Sequence, residues 1–192
     1  MKRNLFLRSI AALLPLSVLP IRDFAFVSAP RKLGKGFQVK ANTDRFGKPI
    51  TLFEGDTFYT KVSSKDTNGD LYMFESTRLK KGGPIAHFHY SQDEVWFITE
   101  GEFTIKVGDE VYQAKPGDTV FGRRGVPHSF SKTSEGPAKM IITFQPAGKM
   151  EEFFIAVAAG IMKNTTPEQQ ETIRRAHGFE STGDGIGYLK KF

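Results

Sequence analysis

Residues 86–101 read AHFHYSQDEVWFITEG, and this stretch decides both the fold and the candidate chemistry of the chain. His87 and His89 are separated by one residue, so in a β-strand their side chains project from the same face. Glu94 follows a short polar turn and begins a run of aromatic and β-branched residues that ends at Gly101. The pattern predicts two adjoining strands that carry ionisable side chains on one face.

Short β-rich segments continue on both sides of this stretch, between Thr51 and Ala147. Turn residues separate them, and Asn68-Gly69 is the strongest hairpin signal among these. Regular short strands without intervening helical periods predict an all-β sandwich or barrel. The 18 phenylalanines and single tryptophan suit either core, so composition does not choose between the two architectures.

The pattern changes to a helical one after Pro146. Apolar side chains recur there at the spacing of one helix face: Phe153, Phe154, Val157 and Ile161. A second helix is predicted with Thr166 as N-cap, Pro167 at its first position and Gly178 as C-cap. We therefore expect two short helices packed on the outside of the β domain.

The first residues have the pattern of an export signal. A basic start, the short apolar run Ile10–Leu19 and the small residues Val27-Ser28-Ala29 predict that residues 1–29 are a signal peptide and that the protein is periplasmic or secreted. The apolar run is shorter than the roughly 20 residues of a membrane-spanning helix, so we expect no stable membrane anchor. The alternative is an amphipathic helix packed on the domain, which Pro15 and Pro20 disfavour.

These patterns divide the chain into four parts: a signal peptide (1–29), a mobile N-terminal arm (30–50), a β-barrel (51–147) and a C-terminal helical extension (148–192). The net charge is +6, and half of it lies in the first 29 residues. No basic stripe with interleaved aromatics follows, so we expect no nucleic-acid partner. The absence of cysteine excludes disulfides, thiolate metal sites, cysteine nucleophiles and a lipoprotein anchor.

A metal site is the strongest chemical prediction. The chain has four histidines, and His128, at the predicted start of a later strand, could join His87, His89 and Glu94. Three imidazoles and one carboxylate suit divalent first-row metals, with leftover coordination positions open to water or substrate. The alternative is that each histidine is an ordinary core or surface residue, which this spacing disfavours.

Two motifs of this chain resemble those of the cupin superfamily. The first has the form G-x5-H-x-H-x(3,4)-E-x6-G, and its residues here are Gly82, His87, His89, Glu94 and Gly101. Gly82 is one residue closer to the histidines than in that pattern. The second has the form G-x5-P-x-G-x2-H-x3-N, and its residues here are Gly117, Gly125 and His128. Arg123 and Lys132 replace its proline and asparagine.

Residues 39–189 resemble, more loosely, single-domain cupins related to quercetin 2,3-dioxygenase. The resemblance implies a double-stranded β-helix, or jelly roll, and a homodimer. It implies one Fe, Mn, Ni, Co, Cu or Zn ion held by His87, His89, Glu94 and His128. It also implies that a substrate oxygen binds the ion, that Glu94 acts as the base, and that dioxygen attacks the activated substrate.

The leading functional hypothesis is a metal-dependent dioxygenase acting on a small molecule, such as a flavonol or catechol. The second is a non-catalytic module that binds a small metabolite, which would show stabilisation by ligand without turnover. The third is a sugar isomerase, which needs a base and an acid in the pocket. Glu94 and tyrosine side chains are the candidates for those roles.

Several further residues have both a functional and a plain structural interpretation. The candidate pocket walls are Trp96, Phe121, Phe130 and Phe144, although aromatic residues of this kind are more often ordinary core. Arg123 and Arg124 would bind a substrate carboxylate or lie solvated in a loop. His177 is expected at a helix end, where a cation is favoured. The expected turn residues are Gln92 and Asp93.

Overall fold

The computed structural model describes residues 35–52 and 56–187, and the predicted signal peptide lies outside the described residues. The described residues form eleven strands, one 3₁₀ turn at Ser64–Thr67 and two α-helices. The strands are β1 Ile50–Leu52, β2 Asp56–Val62, β3 Tyr72–Arg78, β4 Ala86–His89, β5 Asp93–Glu100, β6 Phe103–Val107, β7 Glu110–Ala114, β8 Thr119–Gly122, β9 His128–Lys132, β10 Ala138–Gln145 and β11 Phe179–Gly183. The helices are α1 Met150–Ala158 and α2 Pro167–Ala176.

The strands pair in two antiparallel sheets. One sheet has six strands in the order β1-β2-β3-β10-β5-β8, and the other has five in the order β11-β4-β9-β6-β7. The non-consecutive order is that of a jelly roll, so the predicted all-β double-stranded β-helix with two short helices is confirmed. The predicted barrel is not closed by strand pairing among the described residues, because each sheet keeps its own two edges.

The core follows the two-residue alternation of the strands. Along β3, the buried side chains of Tyr72 and Phe74 lie on the same face as Ser76 and Arg78. Tyr72 and Phe74 belong to a cluster of buried apolar residues from both sheets, whose largest fully buried members are Trp96, Tyr72, Phe74, Phe103, Phe144, Ile98, Ile105 and Met140. Asparagine and glycine make the turn before β3, where Asn68 and Gly69 have φ of 56° and 88°, as the sequence predicts.

Helix α1 packs on the aromatic core. The ring of Phe154 lies 5.1 Å from Phe58 and 5.4 Å from Phe74, measured between centroids. The helix ends at Ala158, so Ile161 is not part of it and is exposed. Neither helix in the described part of the chain is long and apolar enough to cross a membrane.

Helix α2 begins as predicted, with the Thr166 side chain accepting a hydrogen bond from the Gln169 backbone and Pro167 in the first turn. Gly178 follows the helix with a φ of 91°. The predicted helical extension also contains a strand, because β11 pairs with β4. The sequence of β11, FESTG, has no alternation of apolar and polar residues, so only its pairing partner reveals it as a strand.

The described part of the N-terminal arm makes hydrogen bonds to strands β2 and β3. The Arg45 backbone N–H donates to the Thr60 carbonyl at 2.8 Å, and the Thr60 N–H donates to the Asp44 carboxylate at 2.8 Å. The Asn42 N–H donates to the Glu75 carboxylate at 3.0 Å. The glycine and lysine content suggested mobility, but these long-range hydrogen bonds are not visible in composition.

Candidate metal centre

Strands β4 and β9 place three histidines side by side. His87 and His89 occupy alternate positions of β4, and His87 pairs directly across the strands with His128, the first residue of β9. The ring centroids of His87 and His128 are 4.6 Å apart, and those of His87 and His89 are 5.1 Å apart. The five-stranded sheet thus presents three imidazoles on one patch of its inner face.

Glu94 reaches this patch from the other sheet. The turn after His89 carries the chain into β5 of the six-stranded sheet, and the Glu94 side chain is directed back at the histidines. Its Oε2 lies 3.2 Å from His89 Nε2 and 3.1 Å from His128 Nε2. The candidate ligand atoms of all four residues lie within 4.8 Å of one another, which a single ion could bridge.

Backbone carbonyls orient two of the imidazoles. His87 Nδ1 lies 2.8 Å from the Ile85 carbonyl, and His128 Nδ1 lies 3.0 Å from the Val126 carbonyl. A carbonyl only accepts, so Nδ1 carries the proton in both rings, and in a neutral ring Nε2 is left with a lone pair. A backbone carbonyl bonded to the far nitrogen is the arrangement that orients a metal-binding histidine.

Two buried nitrogen atoms of the cluster, His89 Nδ1 and His128 Nε2, have no hydrogen-bond partner among the described residues. His128 Nε2 is close to Glu94 Oε2, but the contact lacks hydrogen-bond geometry. In the neutral ring this nitrogen is an acceptor facing another acceptor, so a cation between them would satisfy both. The donor set therefore fits a divalent metal ion on the geometry of these residues alone.

The cluster is largely removed from solvent. His89, Glu94 and His128 are 0%, 3% and 2% exposed, whereas His87 is intermediate. Burial, together with neighbouring His128 and His89, lowers the pKa of His87 to about 3, so its imidazole is neutral at physiological pH. Burial alone would raise the pKa of Glu94, but the imidazoles of His128 and His89 beside the carboxylate outweigh it and hold that pKa below its usual range. Neutral imidazoles beside an ionised carboxylate are the forms that bind metals.

Aromatic rings enclose the histidines. Trp96 lies 5.2 Å from His128, Phe144 lies 5.2 Å from His89, and Phe179 lies 5.5 Å from His87, between ring centroids. Trp96 and Phe144, two of the four candidate pocket residues, thus lie beside the cluster. Phe179 of β11 was missed, because a distant strand brings it there and no local motif marks it.

The other two predicted pocket residues do not line the cluster. Phe130 is buried one layer away, against Trp96 at 6.5 Å and Phe103 at 6.2 Å. The prediction for Phe121 is wrong, because its side chain is 56% exposed on the outer face of β8. Its neighbours Val120 and Gly122 face inward, so the two-residue period of the strand turns Phe121 to solvent.

Arg123 and Arg124, which had both a substrate-binding and a solvated interpretation, lie in the loop between β8 and β9. Arg124 donates to the Asp93 carboxylate at 3.0 and 2.7 Å, which holds the turn before β5 and lowers the pKa of Asp93 to about 2. Arg123 is exposed in the same loop. His177 lies at the end of α2, where its Nδ1 donates to the Ile173 carbonyl at 2.7 Å, apart from the cluster.

Gln92 has a larger role than a turn residue. It is 4% exposed, and its side chain fills the space beside Gly148 and Gly178. It therefore joins the β4–β5 turn to the start of α1 and the end of α2. Gly148 and Gly178, which lie at helix boundaries, are visible in the sequence. The sequence does not show that the side chain of Gln92 fills the space beside both glycines.

One family model and several known proteins are similar to part of this chain. Residues 69–144 match the family model described as the cupin domain. The chain is 37% identical to an uncharacterized protein of Streptomyces coelicolor over 68 aligned residues. The aligned region covers 35% of this chain and 64% of that protein. It is 28% identical to quercetin 2,3-dioxygenase of Bacillus subtilis over 109 aligned residues. That region covers 56% of this chain and 32% of the Bacillus protein. The matched regions thus cover less than two thirds of either relative.

A solved structure agrees with the fold. An RmlC-like cupin from Shewanella frigidimarina superposes with a TM-score of 0.50 at 20% sequence identity. The superposition covers 62% of this chain and 96% of that one. At this identity the likeness concerns the fold alone.

Proposed function

Because residues 69–144 form a cupin domain, we propose that this protein is a metal-dependent oxidoreductase of the dioxygenase type that acts on a small aromatic molecule bearing a hydroxyl group. The observation that carries the proposal is the convergence of His87, His89, Glu94 and His128 on one buried point. The distant likeness to quercetin 2,3-dioxygenase supports the choice of reaction.

The four side chains would hold one divalent transition metal. When bound, such an ion would supply Lewis acidity and, in its redox-active forms, electrons for chemistry with dioxygen. The chain's own contribution is the orientation of His87 and His128 by the carbonyls of Ile85 and Val126. Glu94 is ionised at neutral pH and could accept the proton of a substrate hydroxyl beside it.

The surroundings of the cluster favour an uncharged aromatic substrate. The rings that touch the imidazoles are those of Trp96, Phe144 and Phe179, which would pack against a planar apolar molecule. Arg124 is engaged by Asp93, and Arg123 is exposed in the loop before β9. These contacts favour a flavonol or catechol over a sugar or a dicarboxylate.

The test is oxygen consumption by protein of known metal content. The full chain is loaded separately with Fe, Mn, Co, Ni and Cu, mixed anaerobically with flavonols and catechols, and then exposed to oxygen. We expect uptake that tracks substrate loss for at least one metal and none for the His89→Ala variant. Thermal stabilisation by these molecules without oxygen uptake would instead support the non-catalytic binding module.

A further inference from the structure

The single tryptophan of the chain lies against the histidine cluster. Trp96 follows Glu94 by two positions on β5, so its side chain is on the same inner face, and it is fully buried. Its indole meets the imidazole of His128 edge-on, with ring centroids 5.2 Å apart and planes at 69°. The indole is therefore in contact with one of the four candidate ligands.

The position of the indole is set by the fold. On the neighbouring strand β8, a Cβ built on Gly122 would lie 2.6 Å from the Cη2 atom of Trp96. The benzene edge of the indole thus occupies the space that any other residue at position 122 would fill. Phe130 packs on it as well, at 6.5 Å. A ring held in this way has little freedom to rotate away from the cluster.

The polar atom of this ring has no hydrogen-bond partner in the part of the chain that the structure describes. Nε1 of Trp96 is buried and makes no hydrogen bond to any described residue. An indole N–H can only donate, and leaving it buried and unpaired is unfavourable. His128 Nε2, on the ring that the indole touches, is also without a hydrogen bond. A lone pair and an N–H donor, both unsatisfied, therefore lie on two rings in contact.

We propose that the N–H of Trp96 donates a hydrogen bond to a small anion or water bound to the metal ion, and thereby positions that ligand. The inference rests on the metal binding assumed in the proposed function. The ion would take the lone pair of His128, and the remaining ligand would be an electron-rich oxygen or nitrogen atom that accepts the indole proton. The other two aromatic rings that contact the histidines, Phe144 and Phe179, carry no hydrogen-bond donor.

The first test observes the indole proton itself. The full chain, labelled with ¹⁵N and loaded with zinc, gives one indole N–H signal because it has one tryptophan. Azide is the probe, and its binding is measured in parallel by calorimetry. We expect the indole proton resonance to move downfield as azide saturates the site, and to stay fixed when azide is added to metal-free protein. An unmoved resonance at azide saturation would overturn the inference.

The second test removes only the donor. Trp96→Phe keeps an aromatic ring, and cobalt-loaded protein reports azide binding through its visible spectrum. We expect about tenfold weaker azide binding at unchanged cobalt stoichiometry, the effect of one lost hydrogen bond. Phe130→Leu, which loosens the packing of Trp96 without removing a donor, is the control and should stay within about twofold of wild type. Equal azide affinity of Trp96→Phe and wild type would contradict the inference.

The outcomes separate this inference from the proposed function. Protein that binds neither zinc nor cobalt contradicts both. Protein that binds metal and azide without any response of Trp96 contradicts the inference alone. An indole response in protein that never consumes oxygen supports the inference and contradicts the dioxygenase assignment.

Discussion

The carboxylate of Glu151, in the first turn of α1, accepts a hydrogen bond from the hydroxyl of Ser63 at 2.9 Å, across 88 residues of sequence. The same oxygen accepts the backbone N–H of Ser64 at 2.8 Å and also the Ser64 hydroxyl. Glu151 is buried among these donors of the β2–β3 connection. Helix α1, which covers the aromatic core beside the cluster, is therefore fixed at its N-terminus by a buried carboxylate.

Replacing Glu151 by alanine should destabilise the protein by about 2–3 kcal/mol, because it removes these hydrogen bonds and leaves the buried Ser63 hydroxyl short of an acceptor. Urea unfolding measures the change. Glu152→Ala is the matched control, since its side chain is exposed on the same helix, and it should change stability by less than about 0.5 kcal/mol. Equal effects of the two variants would show that the Glu151 contacts give no net stabilisation.

Gly148 precedes α1 and faces Gln92. Its φ is +54°, and a Cβ built on it would lie 1.6 Å from Gln92 Nε2. Gly148→Ala should therefore cost roughly 2–4 kcal/mol, from left-handed strain and displacement of a buried glutamine. Gly117→Ala is the control for strain alone, because Gly117 has φ +97° with open space around it, and it should cost only about 1 kcal/mol. Both are measured by denaturant unfolding.

Gln92→Ala supplies the second half of this test. In that background Gly148→Ala should cost only the strain of about 1 kcal/mol, because the clash has been removed. The double-mutant cycle would then give a coupling energy of at least about 1 kcal/mol between the two positions. Additive effects would mean that the glutamine moves aside without cost.

The two histidines of β4 could be predicted from sequence because the signal is local. A spacing of two within a strand places His87 and His89 on one face whatever the rest of the fold does. The inward direction of Trp96 follows from Glu94 by the same rule, and the exposure of Phe97 on the opposite face agrees with it. The N-cap of α2 at Thr166 is equally local, since its hydrogen bond closes within one turn.

The residues that could not be predicted depend on contacts between distant segments. Phe179 reaches His89 only because β11 pairs with β4, and the sequence of β11 carries no strand pattern. Phe121 was misplaced because the register of β8 against β5 decides which of its residues face inward. Gln92 resembles any polar turn residue until the two glycines beside it are known to meet it in space.

Stability should depend on pH through Glu171, which joins α2 to β11. Its carboxylate accepts from the Ser181 backbone N–H at 3.1 Å, from the Ser181 hydroxyl at 2.5 Å and from Arg174 at 3.1 Å. Burial alone would raise the pKa of Glu171, but the hydrogen bonds from Ser181 and then Arg174 outweigh it and lower that pKa below its ordinary 4.5. The folded state thus holds the charged form more tightly than the unfolded state does.

A carboxylate whose pKa is lower in the folded state than in the unfolded state stabilises the fold at pH values above its unfolded pKa. This stabilisation is lost as the pH falls through the folded pKa. Wild type should therefore exceed Glu171→Gln in unfolding free energy by about 1 kcal/mol at pH 7, and the difference should shrink as the pH falls below 4.5. Urea unfolding from pH 7 to 3 measures it. Ser181→Ala should weaken the same pH dependence, and a difference that stays constant with pH would contradict the assignment.

Replacing His89 by alanine should abolish metal binding and leave the fold intact, because the core that surrounds the cluster is built from apolar side chains of both sheets. In wild type, metal at 100 times its Kd should raise the unfolding free energy by about 2.7 kcal/mol, whereas the variant should show no such increase. Elemental analysis and thermal unfolding measure the two effects. His177→Ala is the matched control, since His177 lies outside the cluster and its loss should leave metal stoichiometry at wild-type level. If His89→Ala keeps a full complement of metal while His177→Ala loses it, the ion is held elsewhere. That result would contradict both the role of Glu94 as base and the hydrogen bond from Trp96.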